Sequence, residues 1–395
     1  MDIRKLAEEV QGYVVGIRRE LHRFPEPSEQ EFETTRRVAG ELGAIGIPCR
    51  RFEPTGLMAD IAGDKPGGMV ALRADMDALS LTERSGVEFS SQNEGFMHAC
   101  GHDAHTAMLL GAGKILWGLR EYFAGTVRLI FQPAEETAAG ARAILSQGAG
   151  DNVDAFFGLH VFPFLKAGAV LSRPGAFMAA SDAVRITVTG KACHGASPNH
   201  GVDATVVAAE IIMALQTIIS RRMHPLEPAV FTIGKINSGT RFNIVSGCAE
   251  MEGTTRFFNE DMRPLIQKLA REIIEGVAVA HGAAAQVEFA PFTNVVSNDK
   301  KMHDIAMAAA GKIALGSAPV GECGQSMGSE DFCEYSKLAP GVFVQLGTGG
   351  EYPIHSDRFT VDEDAFITGT ALHVQVALDT LGELKIRGIS NKANA

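Results

Sequence analysis

Between Met97 and Thr106 the chain reads MHACGHDAHT, placing Cys100, His102, Asp103 and His105, with His98, inside ten residues. Imidazole and thiolate are the side chains that best hold a borderline-soft divalent metal such as zinc. Cys100 and His102 stand two apart, a spacing that a loop can aim at one point and a regular helix cannot. A structural finger needs a second close Cys/His pair, and none follows. The segment reads as half a site, completed from elsewhere in the fold.

Four further stretches carry matching chemistry: QPAEET, GLHV, CHGASPNHG and YPIHSDRF. They contribute Glu135 and Glu136, His160, His194 and His355. Taken alone, the paired glutamates read as two carboxylates in the first turn of a helix, where its dipole favours them. Beside a Cys/His cluster they read differently. One can ligate a metal while its neighbour works as a general base on water. Each histidine alone could equally be a core or surface residue, and it is their joint presence that carries weight.

These residues need a scaffold, and the apolar pattern supplies one. GMVALRAD reads as a buried strand ending at Asp75, with TVRLIFQ and VDAFFGLHV as further strands. Helical patterns fall between them, from Ala104 to Leu119 and from Thr137 to Gln147. This alternation predicts an α/β fold with a mostly parallel sheet. Ligands of such sheets bind beyond the carboxyl ends of the strands. Asp75, Glu135, Glu136 and His160 all fall there. From Ala183 the pattern changes to strand AVRITVTGK, a helix from Asp203 to Arg222 and strands from Ala229 to Ile236 and from Asn243 to Phe257. A helix from Met262 to His281 and a strand from Ala285 to Phe289 complete it. The order β-α-β-β-α-β predicts a ferredoxin-like α+β domain over residues 183–294. It is inserted into a discontinuous catalytic domain of residues 1–182 and 295–395, where GVFVQLGTGG reads as one more strand.

Bulk properties narrow the partners. With 395 residues, two domains are the default expectation. A net charge of −11 argues against nucleic acid and anionic membranes. The six cysteines show no regular framework, which favours a reduced, cytoplasmic setting. No stretch reads as a signal peptide or a membrane span.

MHACGHDAHTAMLL, IFQPAEE, GLHV, HGASP, GTTRFF and SEDF together resemble the dinuclear-metal aminoacylase and carboxypeptidase family. The likeness is to its amidohydrolase branch of hippurate, indoleacetyl-amino-acid and other N-acyl-amino-acid hydrolases. The match runs in order from LHRFPEPS to PIHSDRF, nearly the whole chain. The resemblance implies metal ligands Cys100, His102, Glu136, His160 and His355 for two divalent ions, with manganese, zinc, cobalt and nickel all suitable. It implies Glu135 as general base and acid, and His194 as the group that polarises the substrate carbonyl. Asn243 and Arg256 resemble positions that hold the substrate, and Asp75 and Asp103 are expected to orient ligands. The inserted domain is expected to act as a lid and to pair subunits into a homodimer or a tetramer. The expected substrate is an N-acyl amino acid. A dipeptidase or carboxypeptidase shares the chemistry, and a non-catalytic binding protein could share the fold. The resemblance leaves the acyl group open.

Overall fold

In the computed structural model, residues 1–314 and 318–393 are described. The chain forms two compact units. The first comprises Met1–Phe177, Ser297–Gly324 and Asp331–Ala395, the second Met178–Val296 and Gln325–Glu330.

The first unit is built on an eight-stranded sheet. Its middle strands are Ala124–Gln132, Lys65–Asp75, Ala155–Phe162 and Gly341–Gly347, adjacent in that order and parallel. Antiparallel pairs lie towards both edges, where Leu57–Ala62 joins Ala124–Gln132 and Val170–Ser172 joins Gly341–Gly347. A strand inside a parallel sheet is covered on both faces, so it is apolar along its length rather than alternating. Val70 to Asp75 and Val342 to Leu346 are buried without interruption. The helices Ile3–Arg23, His102–Gly118 and Ala365–Ala393 pack on one another. His102–Gly118 is apolar almost all round, as befits an internal helix.

Two sequence expectations shift. The helix expected from Thr137 begins at Gly140, because Ala138 takes a left-handed backbone (φ 53°) and holds the preceding residues in a turn. The long strand expected from Asn243 divides into Ile244–Val245 and Cys248–Phe257. At the break, the Ser246 hydroxyl accepts the Cys248 N–H and donates to the Cys248 carbonyl, turning the chain on itself.

The second unit has a four-stranded antiparallel sheet ordered Ala229–Ser238, Cys248–Phe257, Ala180–Thr189, Ala284–Thr293. With helices Ala204–Thr217 and Met262–Ala280, this is the ferredoxin-like order. Val184, Ile186, Val188, Ile211 and Leu215 fill its core, together with Met251 and Ile266. Ala204–Arg222 is long and apolar enough, by length and composition alone, to cross a membrane, although no stretch of that kind was expected. In this fold the segment lies on the sheet and on Met262–Ala280, which accounts for its apolar face.

One buried histidine leads to a test of acid stability. His373 is fully buried, with its ring edge-on to Phe157 at a centroid distance of 5.2 Å. Neither ring nitrogen has a hydrogen-bond partner among the described residues. Burial, with a smaller contribution from His105, pushes its pKa down to about 3. The unfolded chain then takes up a proton below about pH 6.5 that the native state refuses. Stability is full above that pH and falls on acidification, by about 1.4 kcal/mol per unit from this residue. His373→Leu removes the contribution. Urea titrations at pH 7.5 and 5 should show the variant gaining on the parent at the lower pH; an unchanged gap refutes the assignment.

Candidate metal centre

The strand ends deliver the site. Asp75 closes Lys65–Asp75, Gln132 closes the neighbouring strand ahead of Glu135, and His160 lies near the end of the third. Cys100 comes from the loop entering His102–Gly118, turned by Gly101 at φ 87°. A side chain there would lie 2.4 Å from a Val161 methyl, so only glycine passes. His355 reaches in from a late loop, its left-handed backbone (φ 66°) held by its N–H donating to Ala99 O at 2.8 Å.

The donor atoms converge. Cys100, His102 and His160 form one group whose ligand atoms lie within 4.8 Å of one another, and Cys100, Glu136 and His355 form a second. His102, Glu135 and Glu136 form a third on the same criterion. Cys100 Sγ lies 3.3 Å from His160 Nε2, and Glu136 Oε1 lies 3.5 Å from His355 Nε2 and 4.0 Å from His102 Nε2.

Hydrogen bonds on the far side of the rings set which nitrogen faces the cluster. His102 Nδ1 meets Asp77 O at 3.0 Å and Asp77 Oδ1 at 3.1 Å, acceptors that place the proton on Nδ1. His160 Nδ1 likewise donates to Val161 O at 2.8 Å. Both rings therefore turn Nε2 toward the cluster, the orientation that metal-ligating histidines use. His102 Nε2 is buried and lacks a hydrogen-bond partner among the described residues. Hydrogen bonds to Cys100 and Glu136 raise the His355 pKa to about 10, so the cluster favours positive charge. Thiolate, imidazole and carboxylate in one pocket suit divalent transition metals, and the residues fit such ions.

The remaining expected residues lie as follows. Asp75 Oδ1 accepts from His105 Nδ1 at 2.6 Å and Asp75 Oδ2 from Arg73 at 2.7 Å, while Oδ2 stands 3.7 Å from His102 Nε2. Burial alone would raise its pKa, but His102, Arg73 and His105 outweigh burial and hold it well below the carboxylate range. Asp103 bonds no candidate ligand. It meets His22 Nδ1 at 2.7 Å and Arg18 Nε at 2.9 Å, and these cations keep it ionised against burial. His194, Asn243 and Arg256 belong to the second unit and to none of the ligand groups. His194 and Asn243 are exposed, and Arg256 is half-buried.

Asp77 is the residue the motif reading passed over. Besides His102, its carboxylate accepts the Glu136 N–H at 3.0 Å and the Ser28 hydroxyl at 2.7 Å. Its signal was the one that marked Asp75: an acid just past the carboxyl end of a central strand.

The Arg18–Asp103 pair gives a stability prediction. Removing one partner of a buried ion pair leaves the other uncompensated, at roughly 3–5 kcal/mol. Asp103→Asn should lose that much in urea unfolding at pH 7, and a loss under about 1 kcal/mol contradicts the role. Because the pKa of Asp103 is depressed, its contribution is present above the unfolded carboxylate pKa of about 3.9 and is lost as pH falls below it.

Known proteins resemble this chain in sequence and in fold. Residues 71–379 match the family described as Peptidase family M20/M25/M40. The chain is 39% identical over 377 residues to N-acetyl-L-cysteine deacetylase of Bacillus subtilis, covering 94% of this chain and 90% of the relative. It is 38% identical over 381 residues to thermostable carboxypeptidase 2 of Saccharolobus solfataricus, covering 94% and 96%. The crystal structure of the Bacillus subtilis YXEP protein, described as a dinuclear metal binding peptidase of the M20 family, superposes with a TM-score of 0.84. That match has 36% identity and covers 95% of this chain and 99% of that one. The family match over residues 71–379 and the identity to these relatives show that the chain belongs to the M20/M25/M40 peptidase family of hydrolases.

Proposed function

We propose that this protein hydrolyses the amide bond of N-acyl amino acids, releasing a carboxylic acid and a free amino acid. The observation that carries the reading is the convergence of Cys100, His102, Glu136, His160 and His355 beside Glu135, with His102 Nε2 buried and without a hydrogen-bond partner among the described residues. The five are proposed to hold two divalent cations. When bound, such ions supply Lewis acidity that makes water a nucleophile near neutral pH and polarises a carbonyl.

Glu135 takes the proton of the attacking water and returns it to the departing amine nitrogen. His194 donates to the oxygen on which charge develops, a contribution of about 3–4 kcal/mol for one well-placed donor. Asn243 and Arg256 engage the substrate carboxylate, and the ferredoxin-like unit serves as lid and pairing domain of a homodimer. Six free cysteines fit a reducing, cytoplasmic compartment.

The similarity to N-acetyl-L-cysteine deacetylase supports an N-acyl substrate. The similarity to thermostable carboxypeptidase 2 favours a second reading, in which the scissile amide is a peptide bond. One experiment tests both. The purified protein is incubated with Mn²⁺ or Zn²⁺ and a panel of N-acetyl, benzoyl, indoleacetyl and long-chain acyl amino acids, alongside dipeptides. Amino-acid release from the acyl series supports the first reading, and release from dipeptides alone supports the second. Binding without turnover across the panel removes both and leaves a binding protein.

A further inference from the structure

Glu31 is fully buried, and the chemistry above gives it no task. Its Oε1 accepts the Ala134 N–H at 2.8 Å and the Glu29 N–H at 3.1 Å, while Oε2 accepts the Thr55 hydroxyl at 2.7 Å. Both N–H donors belong to left-handed residues, Ala134 at φ 52° and Glu29 at φ 67°. A side chain disfavours that conformation, and it persists where surrounding contacts over-determine it. Ala134 immediately precedes Glu135 and Glu136.

The other side of the same peptide turn is held locally. Ala134 O accepts the Gly140 N–H at 3.1 Å and the Thr137 hydroxyl at 3.3 Å. Gly140 approaches so closely that a Cβ there would lie 1.6 Å from Pro133 O. The carbonyl of Ala134 is therefore tied to the loop that follows, while its N–H is tied to a residue 103 positions earlier in the chain.

We infer that Glu31 is a positioning residue: by holding the Ala134 N–H it locks the left-handed turn that aims Glu135 and Glu136. The inference rests on the proposed hydrolytic role of those two glutamates. What the clamp requires is reach and an acceptor oxygen, not negative charge. Glutamine can turn its carbonyl oxygen to Ala134 and Glu29 and its NH₂ to the Thr55 oxygen. Aspartate keeps the charge but is one methylene too short. The electrostatics agree, since burial and then the nearby Asp77 push the Glu31 pKa up to about 7.

The test compares the parent, Glu31→Gln, Glu31→Asp and Glu31→Asp/Ala134→Gly. It measures kcat and KM on the best substrate of the panel, and bound Mn²⁺ per chain after dialysis. Glu31→Gln should stay within about threefold of the parent in kcat, a barrier change below one decade. Glu31→Asp should lose about 10²-fold in kcat with little change in KM, the usual effect of an ångström-scale misplacement, and should retain less Mn²⁺. Glycine adopts positive φ without penalty, so the double variant should recover about tenfold over Glu31→Asp. An active Glu31→Asp beside an impaired Glu31→Gln overturns the inference, as does failure of Ala134→Gly to rescue. Should Glu31→Asp fail to fold, Thr55→Val decides: it removes only the bond to Oε2, and a 10²-fold loss there would overturn the inference. A parent inert on the whole panel refutes the hydrolytic reading instead, so the two failures are distinct.

Discussion

Glu135→Gln is expected to lower kcat on an N-acyl amino acid by about 10²–10⁴-fold while KM changes little. Glutamine preserves shape and hydrogen-bonding reach and removes the ability to accept a proton. The loss should therefore appear in the chemical step rather than in binding. Glu135 sits in the loop after Ala124–Gln132, within the group that includes His102 and Glu136. From there its carboxylate is placed beside the ligand pocket. Bound metal per chain should match the parent in this variant, because the proposed ligands are intact. Parental kcat in Glu135→Gln would transfer the proton-shuttling role to another residue.

Metal removal is the second large effect. Dialysis against a chelator should abolish turnover and lower the melting temperature, and added Mn²⁺ or Zn²⁺ should restore both. A ligand that binds only the native state at a thousand times its Kd stabilises that state by about 4 kcal/mol. The stoichiometry discriminates further. Cys100 belongs to two ligand groups, whereas His160 and His355 belong to one each. His160→Ala and His355→Ala should each lose about one ion per chain, and Cys100→Ala should weaken both, as measured by elemental analysis after gel filtration. Peroxide applied to the apo form should reduce the activity that added metal restores, because oxidation of the Cys100 sulfur removes a proposed ligand. Activity that survives chelation and peroxide unchanged removes the metal from the mechanism.

The ligand set was legible from short motifs because metal chemistry restricts residue type. Cys and His two apart before a helix, an acid pair after a strand and a histidine at another strand end are few enough in kind to be recognised. The supports of that set were harder to read. Glu31 and Asp103 are ordinary acids in a chain with 47 acidic residues, and nothing local separates a clamp from a solvated side chain. Asp103 looked like a ligand-orienting residue from its place beside His102. Its carboxylate instead meets Arg18 and His22 on the first helix, a choice made by helix packing.

What the chain of residues determined by itself was periodicity and chemical type. It determined the strand and helix order, the parallel middle of the sheet and the candidates for cation binding. Tertiary structure alone decided which nitrogen of His102 faces the pocket, which carboxylate holds the Ala134 N–H, and that His373 is buried without a hydrogen-bond partner among the described residues. The physical reason is range. Hydrophobic periodicity and ligand chemistry act within a few residues, whereas a hydrogen bond between Glu31 and Ala134 exists only after the chain between them has folded.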